Sequence, residues 1–245
     1  MADRPILFSA PMVRALTAGT KTQTRRLFTL PKWAVPGTLE IDDDGPYACA
    51  EISGCLAKVP TRINTGDRLW VRESWWIAEM YSYGTTPGGC EISPPPLAAR
   101  RRDPVHYAAD GDPKNVGNRT YGPEGLRNGS FAAPDPYAVW LKKPSIHMPR
   151  WASRLTLTVT DVRIERLQDI SETDARAEGV EPAPDHPGWW KSQTDGKLCP
   201  KARDAYGDLW NAINGEGAWQ ANPWVVAYTF SVQHGNIDQI AKVAA

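Results

Sequence analysis

Residues 19–26 read Gly-Thr-Lys-Thr-Gln-Thr-Arg-Arg, which places an amine, several hydroxyls and two guanidinium groups in one short stretch. Lys21 precedes Thr24 by three residues, so on a helix or tight turn the two side chains share a face. An amine kept neutral there can take the hydroxyl proton and turn Thr24 into a nucleophile. The competing interpretation is a solvated edge, which is what short Lys/Thr/Arg clusters on exposed turns usually are.

The elements that must hold this stretch can be read on both sides of it. Pro5 to Phe8 predicts a short strand, followed by Ser9 as an N-cap, Pro11 in the first turn, and the apolar positions Met12, Val13 and Leu16 before Gly19. The motif therefore begins where a helix stops. Thr22 to Phe28 reads as a strand, with Thr24 and Arg26 on one face and Arg25 on the other. Thr65-Gly66-Asp67 is a turn, and Arg68 to Trp75 alternates as a half-buried strand, placing Glu73 on the apolar face with Leu69, Val71 and Trp75. A carboxylate on that face marks a candidate site, opposite Arg72. It also fits a strand-end carboxylate in solvent or paired with an arginine. Arg154 to Leu167 is a strong strand pattern. Ser171-Glu172-Thr173-Asp174 resembles a capping box opening a short helix that ends at Gly179, with Glu178 in its last turn. Pro200 to Ile213 predicts a second helix, Trp224 to Val232 a final strand, and His234 to Ala245 a loose tail.

The chain has 245 residues, which suits a single domain over 1–232 with excursions at about 30–64, 77–137 and 182–200, and a tail over 233–245. Residues 79–137 read as mostly irregular apart from a strand at Val105 to Ala109, and Arg100-Arg101-Arg102 within them reads as a solvated charge run. Lys plus Arg and Asp plus Glu stand at 28 each, so there is no global basic field to draw the chain onto nucleic acid. Any such binding must come from a local patch. Four cysteines without a Cys-x-x-Cys pair, and no secretory leader or long apolar run, point to a reduced, cytoplasmic protein with no membrane attachment. The four histidines are not at metal-ligand spacing with the cysteines, so neither a metal nor another cofactor is expected. Gly215-Glu216-Gly217 follows a helix and opens no other, which is weak evidence for a nucleotide loop.

Eleven tryptophans stand against four phenylalanines. Adjacent indoles at Trp75-Trp76 and Trp189-Trp190 cannot both enter one core from a strand, so some should lie near the surface as base-stacking platforms or as covers for a hydrophobic edge. Lys142 to Trp151 interleaves basic groups with His147 and Trp151, and Arg150 beside Trp151 suits phosphate contact plus stacking. The same segment equally suits a core cap with its charges in water.

Four blocks appear in order: Gly19-Thr-Lys21-Thr-Gln-Thr24-Arg-Arg26, then Gly66-Asp67-Arg68-Leu-Trp-Val, then the Leu155 to Leu167 strand with Asp169-Ile-Ser-x-x-Asp-Ala-x-x-Glu178-Gly179, and last Trp-Val-Val-Ala-Tyr-Thr-Phe. Together they resemble the ASCH family. Phe8-Ser-Ala-Pro-Met and Ile146-His-Met-Pro-Arg-Trp-Ala-Ser-Arg are similar to segments of ASCH proteins carried by bacteriophages and prophages. The resemblance implies an α+β fold of PUA-like type, a twisted β-barrel with short helices at its mouth and, here, long loop insertions. It also implies a cleft for RNA or a modified nucleoside. Some small bacterial relatives are amidohydrolases that remove the acyl group from N4-acylcytidine with a Lys, a Thr and a Glu. By motif these are Lys21, Thr24 and Glu178 here, with Arg26 or Arg25 holding an oxyanion or phosphate.

This chain is far longer than those small enzymes, and Glu73 competes with Glu178 as the working carboxylate. The expected function is a metal-independent amidohydrolase acting on N4-acylated cytosine nucleosides or a related modified base. The alternative is a non-catalytic module for RNA, single strands or modified DNA, with Arg26, Arg72, Arg150 and Trp151 as contacts and Arg25, Glu73 and Trp75 beside them. A nuclease ranks third, for want of an acidic metal cluster or paired histidines.

Overall fold

A computed structural model describes residues 2–35, 39–42, 45–49, 55–80, 103–114, 131–134, 138–192 and 194–240. The elements run β1 (Asp3–Leu7), α1 (Ala10–Thr17), β2 (Gln23–Leu27), β3 (Glu40–Asp42), β4 (Gly45–Cys49), β5 (Leu56–Lys58), β6 (Arg68–Arg72), β7 (Trp75–Met80), β8 (Val105–Tyr107), β9 (Phe131–Ala132) and β10 (Ala138–Lys143). They continue with β11 (Leu155–Arg166), α2 (Glu172–Ala177), β12 (Trp190–Lys191), β13 (Leu198–Cys199), α3 (Ala202–Asn214) and β14 (Trp224–His234). The class is α+β, mostly sheet with a few helices. Among the described residues no helix is long and apolar enough to cross a membrane. Arg100-Arg101-Arg102, Cys90 and the Asn/Gly-rich run from 115 to 129 lie outside the described residues. The chain divides into two compact units, one of Met1–Ala2, Ala18–Asp67 and Thr158–Val232, the other of Asp3–Thr17, Arg68–Leu157 and Gln233–Ala245.

In the first unit β11, β14 and β2 lie side by side in that order. β14 and β2 are antiparallel, with Val225 opposite Leu27 and Tyr228 opposite Thr24. Bonds from Phe28 N to Trp224 O and from Phe230 N to Thr22 O extend the ladder at both ends. Val225, Ala227 and Phe230 are buried, as the β-favouring composition of the strand requires. The helices α2 and α3 pack through Ala175, Ala202, Ala205, Tyr206 and Trp210 against Leu167, Ile170 and Val225. The segment 30–64, expected to be a hairpin-like insertion, holds the antiparallel meander β3-β4-β5. A satellite cluster of Ala34, Leu39 and Val59 sits there with Phe28, Trp33 and Trp224 packed on it.

In the second unit β1 pairs in parallel with β6, Asp3 opposite Arg68. A separate sheet has the order β8-β7-β10-β9. The stretch Arg68 to Trp75, expected as one strand, breaks at Glu73 and Ser74 into β6 and β7. The break gives the Ser74 carbonyl to Ala108 N. The expected alternation survives it: Leu69, Val71, Glu73 and Trp75 are all buried. Trp75 and Trp76 enter different cores. Trp75 packs with Ile77, Met148 and Ala152, and Trp76 with Ala78, Ala133, Ala138 and Trp140. Strand pleating sends neighbouring side chains to opposite faces, so both indoles are buried without sharing a core. Trp189, by contrast, is exposed.

The expected loose tail is not loose over 234–240. Ile237 is buried, Gly235 N donates to Arg154 O, and the Asn236 side-chain amide donates to the carbonyls of Arg150, Trp151 and Ser153. The polar look of the segment masked a single apolar anchor and one amide with three acceptors.

Candidate functional site

The site belongs to the first unit and is built around the end of α2. Ser171 caps that helix, its hydroxyl accepting from Asp174 N at 3.0 Å. Gly179, with φ 87°, takes the left-handed conformation that ends it. Glu178, between helix and glycine, is thereby held at the C-cap, and it forms an isolated antiparallel bridge with Lys21. Thr22 N reinforces the docking by donating to Ala177 O at 2.8 Å. The chain reaches Lys21 through Gly19, whose φ of 74° lets it turn out of α1.

Lys21 is 0% exposed and Glu178 is 5% exposed. The Lys21 ammonium donates to Glu178 Oε2 at 2.7 Å and to the Glu178 carbonyl at 2.8 Å. Burial pulls the Lys21 pKa below the ordinary lysine value, with the Glu178 carboxylate working against that and the Arg26 and Arg25 charges adding to it.

Arg25 organises the other side of Glu178. Its Nε and Nη2 donate to Glu165 Oε1 at 2.9 and 2.7 Å, and Nη2 also donates to Asp174 Oδ2 at 3.2 Å. Its Nη1 donates to Gln23 Oε1 at 2.6 Å and to Glu178 Oε1 at 3.2 Å. A guanidinium has five N–H groups, so every donor of Arg25 has an acceptor. Burial disfavours its charge, but the Glu178 and Glu165 carboxylates outweigh that and raise its pKa. Gln23 completes the network, its Nε2 donating to Asp174 Oδ1 at 3.3 Å and to Thr229 Oγ1 at 3.0 Å. Arg163 closes it from the solvent side on Asp174 at 3.0 Å.

α3 brings a further group. Its first two free N–H groups, at Ala202 and Arg203, donate to the Glu172 carboxylate of α2 at 2.9 and 3.3 Å, which locks the two helices together. This seats Tyr206 beside Glu178. Burial, and then the negative charge of Glu178, hold the Tyr206 pKa well above the usual phenol value, so it stays a donor.

The structure thus brings together Lys21 and Glu178 of the sequence-derived set. Thr24 is buried in β2 opposite Tyr228. Among the described residues its hydroxyl makes no hydrogen bond to either. Arg26 is half-buried, its pKa lowered by burial against the opposing charges of Glu178, Tyr206 and Tyr228. Arg25, expected to contact substrate, has its donors engaged as described. Sequence reasoning missed Gln23, Glu165, Asp174 and Tyr206. Polar residues at 21, 23 and 25, which strand alternation sends to one side, were the available signal of a buried polar network.

The remaining candidates lie in the second unit. Glu73 is buried and held by Arg154, which bonds its two oxygens at 2.9 and 3.1 Å and also engages Asp110. The strand-end carboxylate is thus the arginine-paired one. Burial raises its pKa, opposed by the Arg154 hydrogen bonds. Trp75 is enclosed and meets Trp151 edge-on at 6.2 Å, so it offers no open face to a base. Arg150 is tied to Asp3 at 2.6 Å and to Asp238 at 2.7 Å. Arg72 lies 5.3 Å from the Trp70 ring, and its Nε is buried without a hydrogen-bond partner among the described residues.

Among the described residues no group of three His, Cys, Asp or Glu side chains is placed to hold a metal ion. Among the described residues Cys55 is exposed and Cys199 is buried. No family model, curated protein or solved structure matches the chain.

Proposed function

We propose that the chain is an ASCH-type, PUA-like protein whose first unit hydrolyses the amide of an N4-acylated cytosine nucleoside or a related modified base. The buried contact between Lys21 and Glu178 carries this reading. Burial favours the neutral amine of Lys21, and one proton passing across 2.7 Å to Glu178 gives the amine and carboxylic acid that the reaction uses. In the neutral form Lys21 accepts a proton from the attacking water, or from Thr24, as oxygen bonds to the acyl carbon. Glu178 gives its proton to the exocyclic nitrogen as the C–N bond breaks. The pair is then left as ammonium and carboxylate, and one proton passing back from Lys21 to Glu178 resets it. When Thr24 is the attacking group, water releases the acyl ester in a second round. Arg26, beside Glu178, supplies positive charge for the oxyanion.

The test is acid release from N4-acetylcytidine in buffer containing a chelator. Wild type should turn over, while Lys21→Ala and Thr24→Ala should not, with unchanged circular dichroism. No release by wild type ends the reading for that substrate. A non-catalytic nucleic-acid module is the second reading, and the Arg72–Trp70 stack favours it. It requires single-strand affinity that falls with salt, with a slope set by a handful of phosphates.

A further inference from the structure

We infer that Arg25 is a positioning residue: it holds the Glu178 carboxylate in place for Lys21 and does not itself bind the ligand. The inference rests on the proton-carrying role given to Lys21 and Glu178 above. Its geometric basis is independent of any substrate. Glu178 divides its two oxygens, Oε2 taking Lys21 at 2.7 Å and Oε1 taking Arg25 at 3.2 Å. Arg25 is in turn anchored by Glu165 on β11, Asp174 on α2 and Gln23 on its own strand. A planar fork with all of its donors engaged fixes the direction of each acceptor, which a single ammonium cannot do. Releasing it from Glu178 would cost a buried charge its partners, so a substrate phosphate would have to displace three carboxylates to reach it.

The groups that face Glu178 are Lys21, Arg25 and Arg26 from the β2 segment and Tyr206 from α3. Glu165 and Asp174 are bound to Arg25 on its far side, and Tyr228 faces Arg26. With Arg25 removed but its charge kept, the Coulomb effect on Lys21 stays the same while the hold on Glu178 is lost. Burial of Lys21 is then less opposed, and its amine should lose its proton at lower pH.

The experiment is an NMR titration of the Lys21 side-chain resonance in lysine-labelled protein, identified by its loss in Lys21→Arg. It compares wild type with Arg25→Lys and with Glu165→Asp, which keeps the charge but shortens the hold on the far end of the fork. Kinetics on N4-acetylcytidine run alongside. Expected is a downward shift of Lys21 by roughly one pH unit, a tenfold change in its proton affinity, in both variants. The accompanying loss should fall on kcat with KM little changed. An unchanged Lys21 titration in the folded variants overturns the inference. A raised KM with unchanged titration also overturns it, because it makes Arg25 a ligand contact. If Arg25→Lys does not fold, Glu165→Asp decides on the same criteria. A wild type without turnover removes the proposed reaction, while the titration still decides the role of Arg25.

Discussion

Lys21 and Glu178 meet twice, once through side chains at 2.7 Å and once from the ammonium to the Glu178 carbonyl at 2.8 Å. The second contact means that neutralising the carboxylate leaves the amine an acceptor. Removing the amine, by contrast, leaves a buried carboxylate short of its nearest donor.

From this asymmetry Lys21→Met should destabilise the protein more than Glu178→Gln. Breaking a buried pair by removing one partner typically costs about 3–5 kcal/mol, and we expect Lys21→Met in that range. Urea unfolding of Lys21→Met, Glu178→Gln, Glu178→Leu and Lys21→Met/Glu178→Leu checks it. The double variant should lose less than the sum of Lys21→Met and Glu178→Leu measured singly. Strict additivity would show that the two groups do not depend on one another.

Asp3 sets an acid-stability window. The Arg68 hydrogen bonds at 2.9 Å, helped by Arg150, hold its carboxyl at about 2, below its ordinary 3.8, with burial opposing. A carboxylate with a depressed folded pKa adds stability that is complete above its unfolded value and lost as the pH falls through the folded one. Asp3→Asn should therefore cost at most about 2 kcal/mol near neutral pH, with the difference from wild type closing between pH 3.8 and about 2. A penalty that persists unchanged at pH 2 would disprove the assignment.

Gly207 lies inside α3, where a methyl group would meet the Trp219 ring at 3.1–3.4 Å. Alanine gains up to about 1 kcal/mol of helix propensity, but overpacking costs about 1–3 kcal/mol. Trp219 is pinned by its backbone donating to Asn211 Oδ1 at 2.7 Å, so the ring gives way poorly. Gly207→Ala should lower the melting temperature, and Gly207→Ala/Trp219→Leu should recover part of the loss. A stabilised Gly207→Ala would show that the loop yields.

Ser171→Ala removes the cap that Asp174 N uses and should cost about 1 kcal/mol. The effect should exceed a backbone cap alone if Glu178 moves with the helix end, and the resonance of Lys21 would then shift as well. A loss of stability without that shift separates the helix cap from the site.

Local signals were the legible part of this chain. Ser9 and Gly19 delimit α1, the Ser171 box and Gly179 delimit α2, and both work within a few residues of one another. The Lys21–Glu178 contact spans 157 positions and came from motif resemblance, since spacing carries no information at that range. The partners of Arg25 were illegible for the same reason: Glu165 is 140 residues away, and a lone sequence does not pair charges across that distance. β10 was missed because Ala138–Lys143 is a short apolar run closed by two adjacent lysines, after a Pro- and Gly-rich stretch. Its pairing with β7, Trp140 opposite Ala78, explains why it is a strand. Trp75, expected beside the contacts, is instead core, because Met148 and Ala152 close over it from the segment that suited a core cap and a basic surface equally.

Asn236 serves three carbonyls with one NH2 group, so one of its two hydrogens is shared. Its acceptors lie more than eighty positions earlier. During synthesis the turn from Arg150 to Ser153 must therefore leave the ribosome with those oxygens still wet, and it sets only when Asn236 emerges. A chain stalled before Gly235 would present that turn to proteases, and so would a substitution that lifts Ile237 from its seat.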